Sequence, residues 1–286
     1  MNQQASVVSL ISQLIPAQAA LSPDFQAGLP GAIAPYGTCS IRDKGAQWPG
    51  SLQTLTAKLP IHQVASESDV HDLYQHLRQA ALGYDAEALN DLGWMWITGT
   101  HLKRNSALGL QVLQLAVEQN SAEAVFNQAE HLSHRSRDTE DLSNVISAYV
   151  EAFRCARNNA LRGLIANTLA ELHEHCIVGG KPDHDEAIAW YRVANECGDP
   201  WAVVNICILM LNSDSPAFNY ERAFHELQCA ALHGNRAATD YLIELYDGDW
   251  WGPLPPDDAY GRMKAFWINL AQEQKLADLK ACESKT

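Results

Sequence analysis

Residues 187–198 read AIAWYRVANECG, with alanine at the first and eighth positions and glycine at the twelfth. Apolar and small residues recur there with the period of an α-helix, and glycine just after the last periodic residue is typical of a helix end. Pairs of small or apolar residues seven positions apart also recur along the chain. The first residues of these pairs are Leu73, Gly109, Ala148, Ala187, Ala223 and Ala259, and they are spaced by 36, 39, 39, 36 and 36 residues. This periodicity predicts tandem helical repeats.

A second series of helices lies between those of the first series. It opens at Ala86, Ala122, Ala202 and Ala238, and its gap of 80 residues spans two units. We name these the A helices and those of the first series the B helices. Small residues let two antiparallel helices nest closely. Capping residues are expected at the starts of the B helices: Asn105, Asp141, Asp183, Asn219 and Asp257. The B helices are expected to close near residues that tolerate the left-handed conformation of a C-cap: Asn120, Asn159, Gly198 and Gly234. The predicted fold is all-α, a right-handed α-solenoid of helix-pair repeats.

The first 60 residues differ from the rest in composition. They contain six of the twelve prolines and five of the seventeen glycines, but only five charged side chains. Turn-forming residues at this density predict irregular structure, and the low charge argues against a solvated disordered tail. We therefore expect an irregular N-terminal segment over 1–65, with a short helix over about 3–15, packed on a repeat domain over 66–286.

The charge balance restricts the classes of partner. The chain carries 34 acidic and 20 basic side chains, a net charge of −14. Residues 1–60 have a net charge of +1, so residues 61–286 have a net charge of −15. Such acidity disfavours nucleic acid. Seven cysteines at irregular spacing favour a reduced compartment, and no apolar run is long enough for a membrane span. A cytoplasmic location is expected, with a periplasmic one as the alternative.

Two stretches resemble elements of a known repeat family. Residues 92–99, LGWMWITG, resemble the L-G-x-x-Y-x-x-G element of Sel1-like repeats, and residues 187–198 are similar to the A-x-x-W-Y-x-x-A-x-x-x-G element. The resemblance covers roughly residues 68–270 and weakens around 135–159, where the glycine and aromatic markers are missing. It implies a fold similar to tetratricopeptide repeats and a role in protein binding. Bacterial members of the family include adaptors and immunity proteins that block secreted toxins.

The sequence contains no complete catalytic or metal-binding set, so no cofactor is predicted. His131 and His134 have i, i+3 spacing but lack an evident third ligand, and we expect both to face solvent. Cys229 follows His225 by four residues, and we expect a buried pair there. A hydrolase or metalloenzyme that uses one of these pairs stays an alternative, as does a small-ligand sensor.

The leading hypothesis is a non-enzymatic protein–protein interaction module. A concave acidic groove lined by A helices would bind a basic or complementary partner protein. The candidate contact residues lie on A helices and in one loop: Asn90, Trp94, Asn127, Glu130, Asn205, Asp240, Trp250 and Trp251. Trp250 and Trp251 are adjacent and cannot both face one core, and exposed tryptophan is a common interface anchor. The alternative within this class is a bacterial immunity (antitoxin) protein that neutralises a secreted toxin.

Overall fold

The structure is a computed structural model that describes residues 10–23, 66–134, 139–175, 182–212, 214–247 and 257–283. These ranges contain eleven long helices, and residues 10–14 add a helical turn. The helices are α1 (Glu67–Leu82), α2 (Ala86–Thr98), α3 (Ser106–Glu118), α4 (Ala122–Ser133), α5 (Thr139–Cys155), α6 (Asn159–His175), α7 (His184–Glu196), α8 (Ala202–Leu211), α9 (Tyr220–Leu232), α10 (Arg236–Asp247) and α11 (Asp257–Glu283). In the described residues the only strand-like pairing is one isolated bridge, between Leu21 and Leu102. The all-α fold class is confirmed.

The helices alternate between the two predicted series. The A helices are α2, α4, α6, α8 and α10, and the B helices are the odd-numbered ones. Three A helices begin where the sequence predicts, at Ala86, Ala122 and Ala202. The 80-residue gap is filled by α6, and consecutive helices pack against one another from α1 to α5 and from α7 to α11. The chain is therefore built of consecutive helix pairs, as the repeat spacing predicts.

Side-chain caps fix the starts of three B helices. Asn105, Asp183 and Asn219 each accept a hydrogen bond from the backbone N–H three residues further on, at 3.1, 3.0 and 3.1 Å. After two B helices the chain turns through a left-handed glycine, with φ of 86° at Gly198 and 93° at Gly234. Residues with a Cβ rarely adopt this conformation. The predicted caps at these five positions are confirmed.

Three predicted boundaries near the ends of helices are wrong. Asp141 lies inside α5, which begins at Thr139, and Asp257 is itself the first residue of α11. The sequence suggested that a helix closes near Asn159, but Asn159 begins α6 instead. Asp and Asn are favoured both at caps and in turns, so residue type alone does not fix the position.

The chain divides into two compact units, which we call unit 1 (Met1–Ile165) and unit 2 (Ala166–Thr286). In unit 1 two glycines set the closest approach of α2 and α3. A Cβ on Gly93 would lie 2.7 Å from Leu113 Cγ, and one on Gly109 would lie 2.7 Å from the Gly93 carbonyl oxygen. Neither position has room for a side chain, so the helices can pack here only because both residues are glycine.

Residues 10–23 pack against α1 and the loop after α2. The side chains of Ile11 and Ile15 are fully buried in the core of unit 1. The Tyr74 hydroxyl donates to the Pro16 carbonyl at 2.6 Å, and Arg78 Nε donates to the same oxygen at 2.9 Å. The described part of the N-terminal segment thus covers the first helix of the repeats. Residues 1–9 and 24–65, on which the remaining predictions for this segment fall, lie outside the described residues.

The core of unit 2 is formed by α7 to α11 together with Ala170 of α6. Tyr191, Cys207, Leu227 and Trp267 are among its buried side chains. Burial raises the pKa of the Cys207 thiol to about 12, so this thiol stays protonated and packs as a small apolar group. Among the described helices, none combines the length and the apolarity required to cross a bilayer.

Candidate functional site

In unit 1 a hydrogen-bonded chain of polar side chains joins two A helices. Asn127 Nδ2 of α4 donates to Asn90 Oδ1 of α2 at 2.8 Å, and Asn90 Nδ2 donates to Asp91 Oδ1 at 3.0 Å. The exposed fractions of the three side chains are only 2%, 0% and 0%. Buried amides require partners, so this chain ties α2 to α4 and presents no surface to a binding partner.

Unit 2 contains a chain with the same chemical order. Asn205 Nδ2 of α8 donates to Asn167 Oδ1 of α6 at 2.9 Å, and Asn167 Nδ2 donates to Glu171 Oε1 at 2.7 Å. Asn205 and Asn167 are only half-buried, and Glu171 is exposed. Amide, amide and carboxylate therefore follow one another in both units, but in unit 2 the chain reaches solvent.

A tyrosine of the next B helix holds a glutamate of the A helix in each unit. The Tyr149 hydroxyl donates to Glu130 Oε1 at 2.6 Å in unit 1. The Tyr191 hydroxyl donates to Glu174 Oε2 at 2.6 Å in unit 2. Both phenol rings are buried, so the hydroxyl groups fix the positions of the carboxylates that they contact.

Three carboxylates of unit 2, from Glu171, Glu174 and Asp199, act electrostatically on Tyr191. Its burial, its hydrogen bond to Glu174 and the negative charges of all three carboxylates raise the pKa of Tyr191 far above its usual value. Desolvation raises the pKa of Glu171, and the charges of Glu174 and Asp199 raise it further, against a lowering by Asn167 and His175. Desolvation also raises the pKa of Asp199, although backbone N–H groups lower it. The three residues thus form an acidic cluster in which the negative charges of Glu171 and Asp199 are partly unfavourable.

Known proteins resemble this chain in structure and not in sequence. No protein-family model and no curated protein matches the sequence. A Sel1 repeat protein from Oxalobacter formigenes is similar in structure, with a TM-score of 0.52, 19% identity, and coverage of 77% of this chain and 82% of that one. The chain has a Sel1-like repeat fold.

Two immunity proteins from Pseudomonas aeruginosa match more weakly. One has a TM-score of 0.47 and 13% identity, and the match covers 85% of this chain and 89% of the immunity protein. The other has a TM-score of 0.45 and 14% identity, and the match covers 71% of this chain and 73% of the immunity protein. Both values lie below that of the Oxalobacter protein.

The predicted contact residues occupy different environments on the Sel1-like repeats. Trp94 is a core residue with 2% exposure, and Asn90 and Asn127 are buried as described above. The Glu130 carboxylate also lies 3.9 Å from His134 Nε2. Asp240 is half-exposed and lies 3.6 Å from Arg236 in a surface ion pair. The structure brings Asn90 and Asn127 into direct contact. Trp250 and Trp251 lie outside the described residues.

Four residues of the acidic cluster and its amide chain were missed by sequence reasoning: Asn167, Glu171, Glu174 and Asp199. The first three lie on α6, the A helix without the glycine and aromatic markers of Sel1-like repeats. The 80-residue gap between Ala122 and Ala202 could have located α6, because a gap of two repeat units predicts one further A helix near its middle. Asn167 lies 40 residues after Asn127 and 38 before Asn205.

Two predictions about histidines are corrected by the structure. His131 was expected to face solvent and lies in the last turn of α4, but it is only 7% exposed, because it follows the buried Asn127 by four residues and so lies on the buried side of the helix. His134 follows the helix and is exposed, as expected. His225 was expected in a buried pair with Cys229, but it is exposed, and its Nε2 lies 3.6 Å from Cys229 Sγ. No group of three or more His, Cys, Asp or Glu side chains among the described residues is arranged to hold a metal ion.

Proposed function

We propose that this chain is a non-enzymatic protein-interaction module whose A helices bind a basic segment of a partner protein. The observation that carries the proposal is the acidic cluster of Glu171, Glu174 and Asp199. The pKa values of Glu171 and Asp199 are raised, which means that ionising these two carboxylates is costly in the free protein. A cation placed among these groups would lower that cost, and such a gain is available only to a positively charged partner.

The chemistry of the cluster favours an arginine or lysine side chain as the group that is bound. The Glu171 carboxylate is oriented by Asn167 at 2.7 Å, and the Glu174 carboxylate by the Tyr191 hydroxyl at 2.6 Å. Carboxylates already fixed in position lose little entropy on binding. The planar guanidinium of arginine can donate two parallel hydrogen bonds to one carboxylate, which makes it the better fit.

The net charge supports the same partner class over a longer range. Residues 61–286 carry −15, and an excess of one sign steers oppositely charged proteins into encounter. In this proposal Glu130, Asn205, Asp240, Trp250 and Trp251 remain contact residues. The buried side chains of Asn90, Trp94 and Asn127 act by fixing the A helices that carry the contacts.

The test is affinity capture from the native cell with Glu171→Lys. Glu171 is exposed, so the substitution reverses the charge without opening the core. Glu196→Lys makes the same charge change on an exposed position of the B helix α7, in the same unit, and is the matched control. The wild type and the control should capture one shared partner that Glu171→Lys loses, and added salt should weaken the interaction.

Capture of the same partner by all three proteins would refute the site. The identity of the partner narrows the function further: a toxin whose activity is blocked in the complex would make the chain an immunity protein, whereas a protein with no toxic activity would favour an adaptor role.

A further inference from the structure

The last turns of α11 present two leucines to solvent on the side opposite the one that packs. Trp267 is buried in the core of unit 2, and Gln274 Nε2 donates to the Ala231 carbonyl oxygen of α9 at 3.1 Å. At 3.6 residues per turn, Leu276 lies about 160–180° around the helix from both. Leu276 is 56% exposed, and Leu279, on the next turn, is 53% exposed. This side of α11 is therefore apolar at its centre and open to solvent.

The charges in this part of α11 are complementary to themselves. Residues 273–280 read EQKLADLK, with two acidic residues, at 273 and 278, and two basic residues, at 275 and 280. The stretch has no net charge, in a chain that carries −14. In reverse order its signs are inverted, because Glu273 exchanges with Lys280 and Lys275 exchanges with Asp278. Two copies of such a helix match in charge when they lie antiparallel.

One of these charge pairs lies on the same side of α11 as the leucines. Glu273 comes three residues before Leu276 and Lys280 four residues after it, and both are exposed. They are about 10.5 Å apart along the axis, too far to pair with each other in one helix. In an antiparallel pair whose twofold axis passes beside 276 and 277, Glu273 of each copy lies level with Lys280 of the other. A parallel pair would place identical charges at the same level.

We propose that this side of α11 is a homodimer interface, on which a second copy of the chain packs antiparallel across Leu276 and Leu279. The four leucines meet at the twofold axis, where they lose contact with water, and a Glu273–Lys280 pair lies on each side of the axis. The twofold axis makes the interface isologous, so it closes at two copies. Asp278 lies 3.6 Å from Arg236 of α10 in the same chain, so it has no part in the interface.

The proposed dimer is weak and independent of the proposed function. Contact along a few helical turns is small for a protein interface, so we expect dimers only at concentrations near about 0.1 mM and above. At micromolar concentration the chain is then monomeric. Helix α11 carries none of the residues invoked for binding a basic partner, so failure of one proposal leaves the other standing.

The first test is sedimentation velocity of the full chain at increasing concentration, up to about 1 mM. The wild type should form dimers, whereas Leu276→Lys should remain monomeric because its two new charges would meet at the twofold axis. Leu232→Lys is the matched control on α9, where the leucine is 59% exposed, and it should dimerise like the wild type. A monomeric wild type, a dimeric Leu276→Lys or a monomeric Leu232→Lys would each overturn the proposal.

Charge reversals test the antiparallel register. Glu273→Lys and Lys280→Glu each convert both Glu273–Lys280 pairs into like-charged ones, so each variant should dimerise about 3- to 10-fold more weakly than the wild type. Mixing the two variants places opposite charges level again, so their mixed dimer should be tighter than either homodimer. Glu196→Lys, on an exposed position of α7, controls for the change in net charge and should not weaken dimerisation. Reversals without effect, or a mixture no tighter than its components, would overturn the proposed packing.

Discussion

Units 1 and 2 contain the same polar arrangement in opposite environments. In unit 1 the chain from Asn127 through Asn90 to Asp91 is buried, and in unit 2 the chain from Asn205 through Asn167 to Glu171 reaches solvent. A buried amide chain must be complete, because each unpaired group costs free energy. An exposed chain can exchange protein hydrogen bonds for water or for a partner. The same residue types thus act as a structural tie in unit 1 and as a candidate binding surface in unit 2.

The two ends of the described chain differ in a related way. Residues 10–23 cover α1, with Ile11 and Ile15 fully buried, whereas the last turns of α11 leave Leu276 56% exposed and Leu279 53% exposed. Stability should therefore respond strongly to changes at the first end and weakly at the second.

The largest effect is expected from Ile15→Ala. Removing a fully buried isoleucine side chain leaves a cavity and should lower the free energy of unfolding by about 2–5 kcal/mol. Leu276→Ala is the matched change at the other end and should alter it by less than about 0.5 kcal/mol, since this side chain is more than half exposed. Urea denaturation of both variants measures the contrast. Equal losses would mean that residues 10–23 do not stabilise unit 1.

Glycine substitutions should have opposite signs in the two units. A Cβ at Gly109 would lie 2.7 Å from the Gly93 carbonyl oxygen, and that backbone atom cannot move aside easily. Gly109→Ala should therefore destabilise by about 1–3 kcal/mol. Gly261 in α11 has no atom within 4 Å of the same position, so Gly261→Ala should stabilise by up to about 1 kcal/mol through helix propensity. Thermal unfolding of the pair tests this, and a destabilised Gly261→Ala would contradict it.

The amide chains themselves provide a third contrast. Asn127→Ala removes the donor to a buried carbonyl group and should lower the free energy of unfolding by about 1–3 kcal/mol. Asn205→Ala is the corresponding change in unit 2 and should cost less than about 1 kcal/mol, because water can replace the lost bond. Chemical denaturation measures both values. If Asn205→Ala lowers the free energy of unfolding as much as Asn127→Ala does, the amide chain of unit 2 is as structural as that of unit 1, and the contrast between them is wrong.

The repeat spacing predicted most of the fold. Alanines and glycines mark where helices approach, so Ala86, Ala122 and Ala202 located three helix starts, and Gly93 with Gly109 accounts for the α2–α3 contact. These signals are local or periodic, and sequence alone contains them.

The candidate site was predictable only in part. Asn90, Asn127 and Asn205 were recognised as polar residues on A helices, but whether such an amide is buried depends on packing by other helices, which has no local signature. Asn167 was missed because α6 lacks the family markers that would have placed it in the repeat frame. The pairing of Glu174 with Tyr191 joins two helices through side chains, so neither residue is distinctive in its own helix.

The smallest effect separates the acidic cluster from ordinary surface charge. The pKa of Glu171 is raised above its usual 4.5, so the folded state holds this proton more tightly than the unfolded state does. The contribution of Glu171 to the free energy of unfolding therefore falls as the pH rises above 4.5 and the carboxyl ionises.

Glu171→Gln keeps the acceptor for Asn167 and should be slightly more stable than the wild type at pH 7, by less than about 0.5 kcal/mol. The difference should disappear below pH 4.5, where the wild-type carboxyl is protonated. Denaturation midpoints at the two pH values, with Glu196→Gln as the control for loss of one surface charge, provide the measurement. A variant less stable than the wild type at pH 7 would show that Glu171 is satisfied in the free protein and leaves nothing for a cationic partner to relieve.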